Sequence, residues 1–452
     1  MFNLLRKKIK IKHYFSSAHN PMSTTGLNIK IMSNGLKVAT RVMDSPLICA
    51  SIFIKCGSRY ENTCNNGITH FIEHLAISNK DLQEIVYNSC VKLTSVTTRE
   101  YQMFSAVSPV ECTSDCVQTL FKIISKVDDY DDNDLNLNKQ NICSEASDYD
   151  DNPKSVAFDY LHQTAFQGTP LEQNVIGPTE NILSFDKAVI SRFIKETYQP
   201  QKLFVALCGN VTHTALMDEV NMNLHCLRHK NCNPIETGTQ RFTGSQIIYR
   251  DDSMPYAHTT IAVEAPGRNS PEYFTCLVAS CLIGSWDRTQ GGSIANGSPL
   301  ARAASTSLLC ERFESFYIAY EDVGLWGIYF VGDRSCLDDM VSNIQDQWMH
   351  MSTTIVQSDV ERAVNLAKLE LIKRMTGVNS CCRDIGSQLL YGSEIKTSSQ
   401  LYKELSNITD KMIKDFAFQY VYDKCPAVAA VGPTEALPNY TRIRSGMYWL
   451  RL

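Results

Sequence analysis

This chain of 452 residues has no apolar run near the ~20 residues that cross a bilayer as a helix, so no transmembrane span is expected. It lacks a basic excess as well. Its 43 Lys and Arg stand against 48 Asp and Glu, a formal net charge of −5, which argues against a nucleic-acid partner. Cysteine is abundant but unpatterned. The 17 cysteines form no zinc-ribbon spacing and no dense framework, with Cys381 and Cys382 adjacent and Cys112 and Cys116 four apart. Most read as reduced, small apolar packing residues of a reducing compartment. The sharpest local absence is of acid. No Asp or Glu precedes Asp44, while Arg6, Lys7, Lys8, Lys10 and Lys12 crowd the start. Phe2, Leu5 and Ile9 share one helical face, and Ser16-Ser17 follow. Residues 1–25 are therefore expected to be a mitochondrial transit peptide, the competing reading being a basic tail that binds acidic surfaces.

What is present is most informative at Gly67-Ile-Thr-His-Phe-Ile-Glu-His-Leu-Ala76. At about 100° per residue, His70, Glu73 and His74 share one helical face. Two imidazoles one turn apart can grip one metal ion while the carboxylate between them reaches a water. This His-x-x-Glu-His order is a zinc-peptidase signature, the inverse of the commoner arrangement. A helix face with two satisfied histidines and a solvated Glu would look the same. The flanks favour the functional reading: a strand-like Ile48 to Lys55, a turn at Gly57-Ser58-Arg59, then Asn65-Asn66-Gly67 leading into the helix. A catalytic zinc wants three protein ligands and an open position, so a third ligand must come from elsewhere.

The chain reads as two related halves. Gly35 to Ala39 and Leu47 to Lys55 look like paired strands followed by the motif helix. Gln246 to Arg250 and His258 to Ala265 look like a similar pair, followed by an apolar helix from Glu272 to Ile283. Leu203 to Gly209 matches Pro426 to Gly432 at the two ends. The expected fold is α+β, two homologous α/β-sandwich halves joined by a linker. Expected boundaries are 26–227 for the N-terminal domain with the metal site, 228–245 for the polar linker, and 246–452 for a metal-free C-terminal domain.

The motif run, with Glu145, Phe158-Asp-Tyr-Leu-His162, Gly177-Pro-Thr-Glu-Asn181, Ile283-Gly-Ser-Trp-Asp-Arg288 and Ile443 to Arg451, resembles the pitrilysin-type mitochondrial processing peptidases. The likeness runs from about residue 27 to the end. It points to the family's β subunits and their paralogues, the first core proteins of respiratory complex III. The resemblance implies Zn²⁺ held by His70, His74 and Glu145, with Glu73 as general base. It implies a presequence substrate laid along a sheet edge near Leu93 to Thr98, where Thr94 takes the place of the family's Asn. Asp159 matches a position that recognises a substrate arginine, and Tyr317 matches an oxyanion-stabilising Tyr of the larger relatives. Implied partners are an α-type processing subunit or the second core protein of complex III, in the mitochondrial matrix or on the matrix side of the inner membrane.

Several positions depart from the family pattern. Cys90 replaces a Gly, Ser155 stands where a carboxylate is expected, Cys310 holds an Arg place, and the glycine loop survives only as Gly291-Gly292. The stretches Ala165 to Pro170 and Cys425 to Val428 look closer to the core proteins. In those, however, a metal histidine is often lost, and here both remain. The resemblance therefore implies a zinc endopeptidase subunit, with a non-catalytic core subunit as the alternative.

Overall fold

The computed structural model describes residues 26–224, 227, 238–290, 295, 297–392 and 395–448. The transit-peptide segment 1–25, most of the linker and the Gly291-Gly292 pair lie outside the described residues.

Two six-stranded sheets organise the chain. The first is built from β1 Leu27–Ile31, β2 Lys37–Val42, β3 Leu47–Ile54, β4 Lys92–Thr97, β5 Gln102–Pro109 and β6 Leu203–Gly209, in the order β1-β2-β6-β3-β5-β4. The second is built from β7 Gln246–Arg250, β8 Ala257–Pro266, β9 Ser285–Asp287, β10 Arg312–Ala319, β11 Val323–Gly332 and β12 Ala427–Gly432, in the order β7-β12-β8-β11-β10-β9. Five strands correspond one for one, β2-β6-β3-β5-β4 with β7-β12-β8-β11-β10. The duplication read from the sequence is thus present in the topology. The expected strand pairs are corrected. β2 and β3 do not touch each other, because β6 lies between them, parallel to β2 and antiparallel to β3. β12 enters likewise between β7 and β8. Local apolar patterning marks a strand but carries no record of a partner far along the chain.

β3 and β6 are buried along almost their whole length, so both faces of the sheet must be covered. The inner faces pack against helices of their own half. The other faces are covered by exchange. Helix Val378–Tyr391 from the second half lays Cys381, Cys382, Ile385 and Leu389 over Phe53, Met103, Phe204 and Ala206 of the first sheet. Helix Pro153–Ala165 from the first half lays Leu161 and Ala165 over Ala262, Tyr329 and Ala429 of the second. Each half thus completes the other's sandwich.

An ionic knot, buried at Arg59 and Glu100 and half-exposed at Asp322, adds to this join. The Arg59 guanidinium, 4% exposed, lies 2.5 Å from Glu100 Oε1 and 2.7 Å from Asp322 Oδ2. The Glu321 amide donates to the same Glu100 oxygen at 3.0 Å.

Candidate metal centre

The motif helix spans Ile68–Ser78 and is placed by its N-terminus. Gly67 enters it at φ 97°, a left-handed conformation that favours glycine. A Cβ there would stand 2.4 Å from the Ile176 carbonyl oxygen, and a Cβ on Gly177 would stand 2.4 Å from the Asn66 oxygen. The two glycines let the backbones touch, which explains why the motif and the Gly177-Pro-Thr-Glu-Asn181 stretch belong together. Asn181 Nδ2 donates to the Thr63 oxygen at 2.9 Å and closes the same contact. The free amides of the first turn are met by Glu61. Its carboxylate accepts from Gly67 N at 2.8 Å, Thr69 N at 2.8 Å and Asn66 Nδ2 at 2.9 Å. Burial pushes the Glu61 carboxyl up, and these donors act against that push.

The expected ligands converge. One ligand atom each from His70, His74 and Glu145 lies within 4.8 Å of the others. Glu145 stands on helix Asp132–Asp150, packed across the motif helix. Its Oε2 lies 2.9 Å from His74 Nε2 and 3.4 Å from His70 Nε2. The two imidazoles meet edge to face, centroids 4.7 Å apart. Two imidazole nitrogens and one carboxylate make a donor set that suits zinc. Glu145 is 45% exposed in its side chain, so the cluster faces solvent and leaves room for a fourth ligand.

The electrostatics suit a cation. Burial alone would lower the His70 pKa, but Glu145 and Glu73 raise it to about 9. Burial and the charge of His70 lower His74. The His70 contact holds the Glu145 carboxyl below its usual range. Burial would raise Glu73, yet His70, Ser95 and Thr97 together lower it, so it stays ionised. Its Oε2 accepts from the Thr97 hydroxyl and lies 3.7 Å from His70 Nδ1.

β4 is the outermost strand of the first sheet, hydrogen-bonded only to β5 among the described residues. Thr94 lies on it, opposite Ser105, with its hydroxyl 3.4 Å from the Ser105 oxygen. The turn before β4 holds Cys90 at φ 52°, in the left-handed region where a Gly would sit without strain.

Two other expected site residues are engaged elsewhere. Asp159 Oδ1 lies 2.5 Å from Arg99 Nη2, and the Tyr149 hydroxyl bonds the same carboxylate. Its carboxylate is thus paired inside the chain, and a substrate arginine at this position would have to share it with Arg99. Tyr317 donates its hydroxyl to the Pro266 oxygen at 2.7 Å and packs on Tyr273. These contacts all lie in the second half and leave it no hydrogen to offer at the metal cluster. Cys310 is buried in the second-half core.

Sequence reasoning missed Glu61, Thr97, Gln102 and Arg99. Glu61 caps a helix whose first amide is six residues away, outside the three-residue spacing by which caps are read. Arg99 and Glu100 are adjacent charges, and adjacency does not reveal that each binds a different buried partner.

Comparison with known proteins agrees with this geometry. Residues 38–179 match the insulinase family, peptidase family M16, and residues 184–367 match the peptidase M16 inactive domain. Cytochrome b-c1 complex subunit 1 of Mus musculus is 36% identical over 432 residues, 94% of this chain and 90% of that protein. Mitochondrial-processing peptidase subunit beta of Bos taurus is 35% identical over 430 residues, 93% of this chain and 87% of that protein. A chain of complex III2 from Candida albicans superposes with a TM-score of 0.87 at 24% identity, covering 94% of this chain and all of that one, a likeness of fold. The chain belongs to peptidase family M16, with the insulinase-type domain first and the M16 inactive domain after it.

Proposed function

We propose that this chain is the zinc-binding β-type subunit of a mitochondrial processing endopeptidase, which removes N-terminal presequences from imported precursors. The observation that carries the reading is the convergence of His70, His74 and Glu145 to within 4.8 Å, with Glu73 on the same helix face. When bound, zinc would polarise the scissile carbonyl and lower the pKa of an attacking water toward ~7. Glu73, ionised and held by Thr97, takes the proton of that water and delivers it to the leaving amine. An extended presequence adds to the open edge of β4 as a further strand, its main chain paired with Leu93 to Thr97 and its side chains alternating in and out. The relatives named subunit beta make an α-type subunit the expected partner, in the mitochondrial matrix.

Specific observations favour a second reading, a structural core subunit of complex III paired with the second core protein on the matrix side of the inner membrane. Asp159 is already neutralised by Arg99, Ser155 carries no charge, and Cys90 strains the turn that sets the substrate edge. The relatives named cytochrome b-c1 complex subunit 1 are as similar as the peptidases.

The deciding experiment assembles the mature chain with an α-type subunit, measures zinc per chain, and follows cleavage of a fluorescent presequence peptide. Cleavage with about one zinc per chain supports the peptidase. An inert, zinc-loaded assembly favours the core subunit.

A further inference from the structure

Behind Glu73 runs a line of polar groups, half-buried at Thr97 and buried at Gln102 and Tyr198, whose donors and acceptors can all be assigned. Gln102, fully buried at the start of β5, places Nε2 2.9 Å from the Thr69 carbonyl oxygen and 3.1 Å from Thr97 Oγ1. Tyr198, just after helix Lys187–Thr197, bonds Gln102 Oε1. The Thr69 carbonyl can only accept, so the Gln102 nitrogen must face it, since the flipped amide would set two acceptors against each other. The Gln102 oxygen therefore faces Tyr198, which must donate. Burial keeps that phenol well above its usual pKa, so the donor is permanent. Both amide hydrogens of Gln102 are then spent, one on Thr69 and one on Thr97. Thr97 accepts there, and its single hydrogen is left for Glu73 Oε2.

On the peptidase reading above, we infer that Tyr198, Gln102 and Thr97 are positioning residues for the general base: their hydrogen bonds run one way and commit Glu73 Oε2 to accepting. The proton taken from water comes to Oε1, passes to the nitrogen of the leaving amine, and Thr97 keeps its own hydrogen throughout. The same amide ties the carbonyl of Thr69 to the sheet, one helical turn before Glu73, so helix and carboxylate are aligned by one side chain. Ser95 adds a second hydroxyl beside the carboxylate.

Two measurements test this separately from the peptidase reading. In the assembly with the α-type subunit, Thr97→Val is expected to lower kcat roughly 10- to 100-fold with KM and zinc content unchanged, the range seen when an outer partner of a site is removed. Thr97→Ser, which keeps the hydroxyl, is expected to restore kcat to within about 3-fold. Unchanged kcat in Thr97→Val, in an assembly whose wild type cleaves, overturns the inference and leaves the peptidase standing. Neutron diffraction from the perdeuterated chain reads the hydrogens without any activity. The expected map places a deuteron between Thr97 Oγ1 and Glu73 Oε2 and the Gln102 ND₂ group toward Thr69. A flipped Gln102, or a Thr97 deuteron turned away from Glu73, overturns the inference. A wild type that cleaves nothing refutes the peptidase alone, and the neutron map still decides the direction of the relay.

Discussion

Removing Glu61 should unlock the helix that carries His70 and His74. The Glu61 carboxylate accepts three hydrogen bonds at 2.8–2.9 Å, two from backbone amides of the motif helix entry and one from Asn66. Bonds to a charged group are worth about 1.5–3 kcal/mol each, which would suggest a loss of roughly 5–9 kcal/mol in Glu61→Ala. Two effects reduce it. Glu61 is buried, so its removal also relieves a desolvation cost of several kcal/mol. The space left by the side chain is polar and admits water, which can satisfy one or two of the orphaned donors. Desolvation relief and water together offset about half of the gross loss, leaving a net of ~2–4 kcal/mol.

The effect is local, so a local readout serves best. Hydrogen exchange of the amides of Ile68 to Leu75 should accelerate roughly 30- to 1,000-fold, since each 1.4 kcal/mol is tenfold. Zinc affinity should fall in parallel, because His70 sits in the turn that Glu61 caps. Glu61→Gln keeps one acceptor oxygen and should fall between wild type and Ala. Wild-type exchange rates in Glu61→Ala would refute the argument that this carboxylate holds the helix entry.

Three further outcomes follow from the same structure. Glu73→Gln should keep zinc and the Thr97 contact but lower presequence cleavage 10²- to 10⁴-fold, about 3–5 kcal/mol of transition-state stabilisation, since an amide accepts a hydrogen bond yet cannot take a proton; zinc analysis beside single-turnover kinetics checks it. Arg59→Met should destabilise the chain by about 3 kcal/mol, because Glu100 is left buried without its cation, and Glu100→Gln in the same chain should recover part of the loss in urea unfolding. His162 is buried, its Nδ1 2.7 Å from the Phe158 oxygen and its Nε2 2.7 Å from the Tyr320 hydroxyl. Burial and the nearby charge of Arg99 hold its pKa well below 6.5. The native state therefore binds no proton at His162 where the unfolded chain begins to bind one. Stability is full above about pH 6.5 and falls with decreasing pH by up to ~1.4 kcal/mol per unit, and the wild-type minus His162→Gln difference in unfolding free energy should carry that slope.

How much of this was legible in the sequence depends on the range of the interaction. The motif helix, the strands β3, β6, β8 and β12 and the juxtaposition of His70 and His74 on one helical turn follow from patterns within ten residues or so, and they stand where the patterns place them. What needs a distant partner was not legible. Nothing in Val378–Tyr391 says that its Cys381, Cys382 and Ile385 face covers the first sheet and not the second, because an amphipathic helix records only that one face is buried. The resemblance that marks Asp159 as a specificity position carries no sign of its pairing with Arg99, sixty residues away. Tyr317 has the same history, its hydroxyl claimed by a backbone oxygen in its own half.

The duplication lets the two halves be compared at the strand edge to which a presequence is proposed to add. β4 and β10 occupy equivalent places, each the last of the five shared strands. On β4 the outer hydrogen-bonding groups are unpaired along the whole strand among the described residues, a template for another extended chain. On β10 the first positions are taken by β9, where Ser285, Trp286 and Asp287 pair with Glu314, Phe313 and Arg312. The Gly284-Ser-Trp-Asp-Arg288 segment thus plays toward the second sheet the part that a presequence would play toward the first. The helix that follows β8, Tyr273–Ile283, presents Thr275, Cys276 and Ala279 to the core and no imidazole, so the half with the partly paired edge carries no such cluster among the described residues. The candidate ligands and a wholly open edge strand occur together on one half, and a partly paired edge strand and an apolar helix occur together on the other. On the processing-peptidase reading, features sorted in such pairs on a shared scaffold are what selection for strand-edge proteolysis would leave, whereas the left-handed Cys90 and the pairing of Asp159 with Arg99 are the observations that the core-subunit reading draws on.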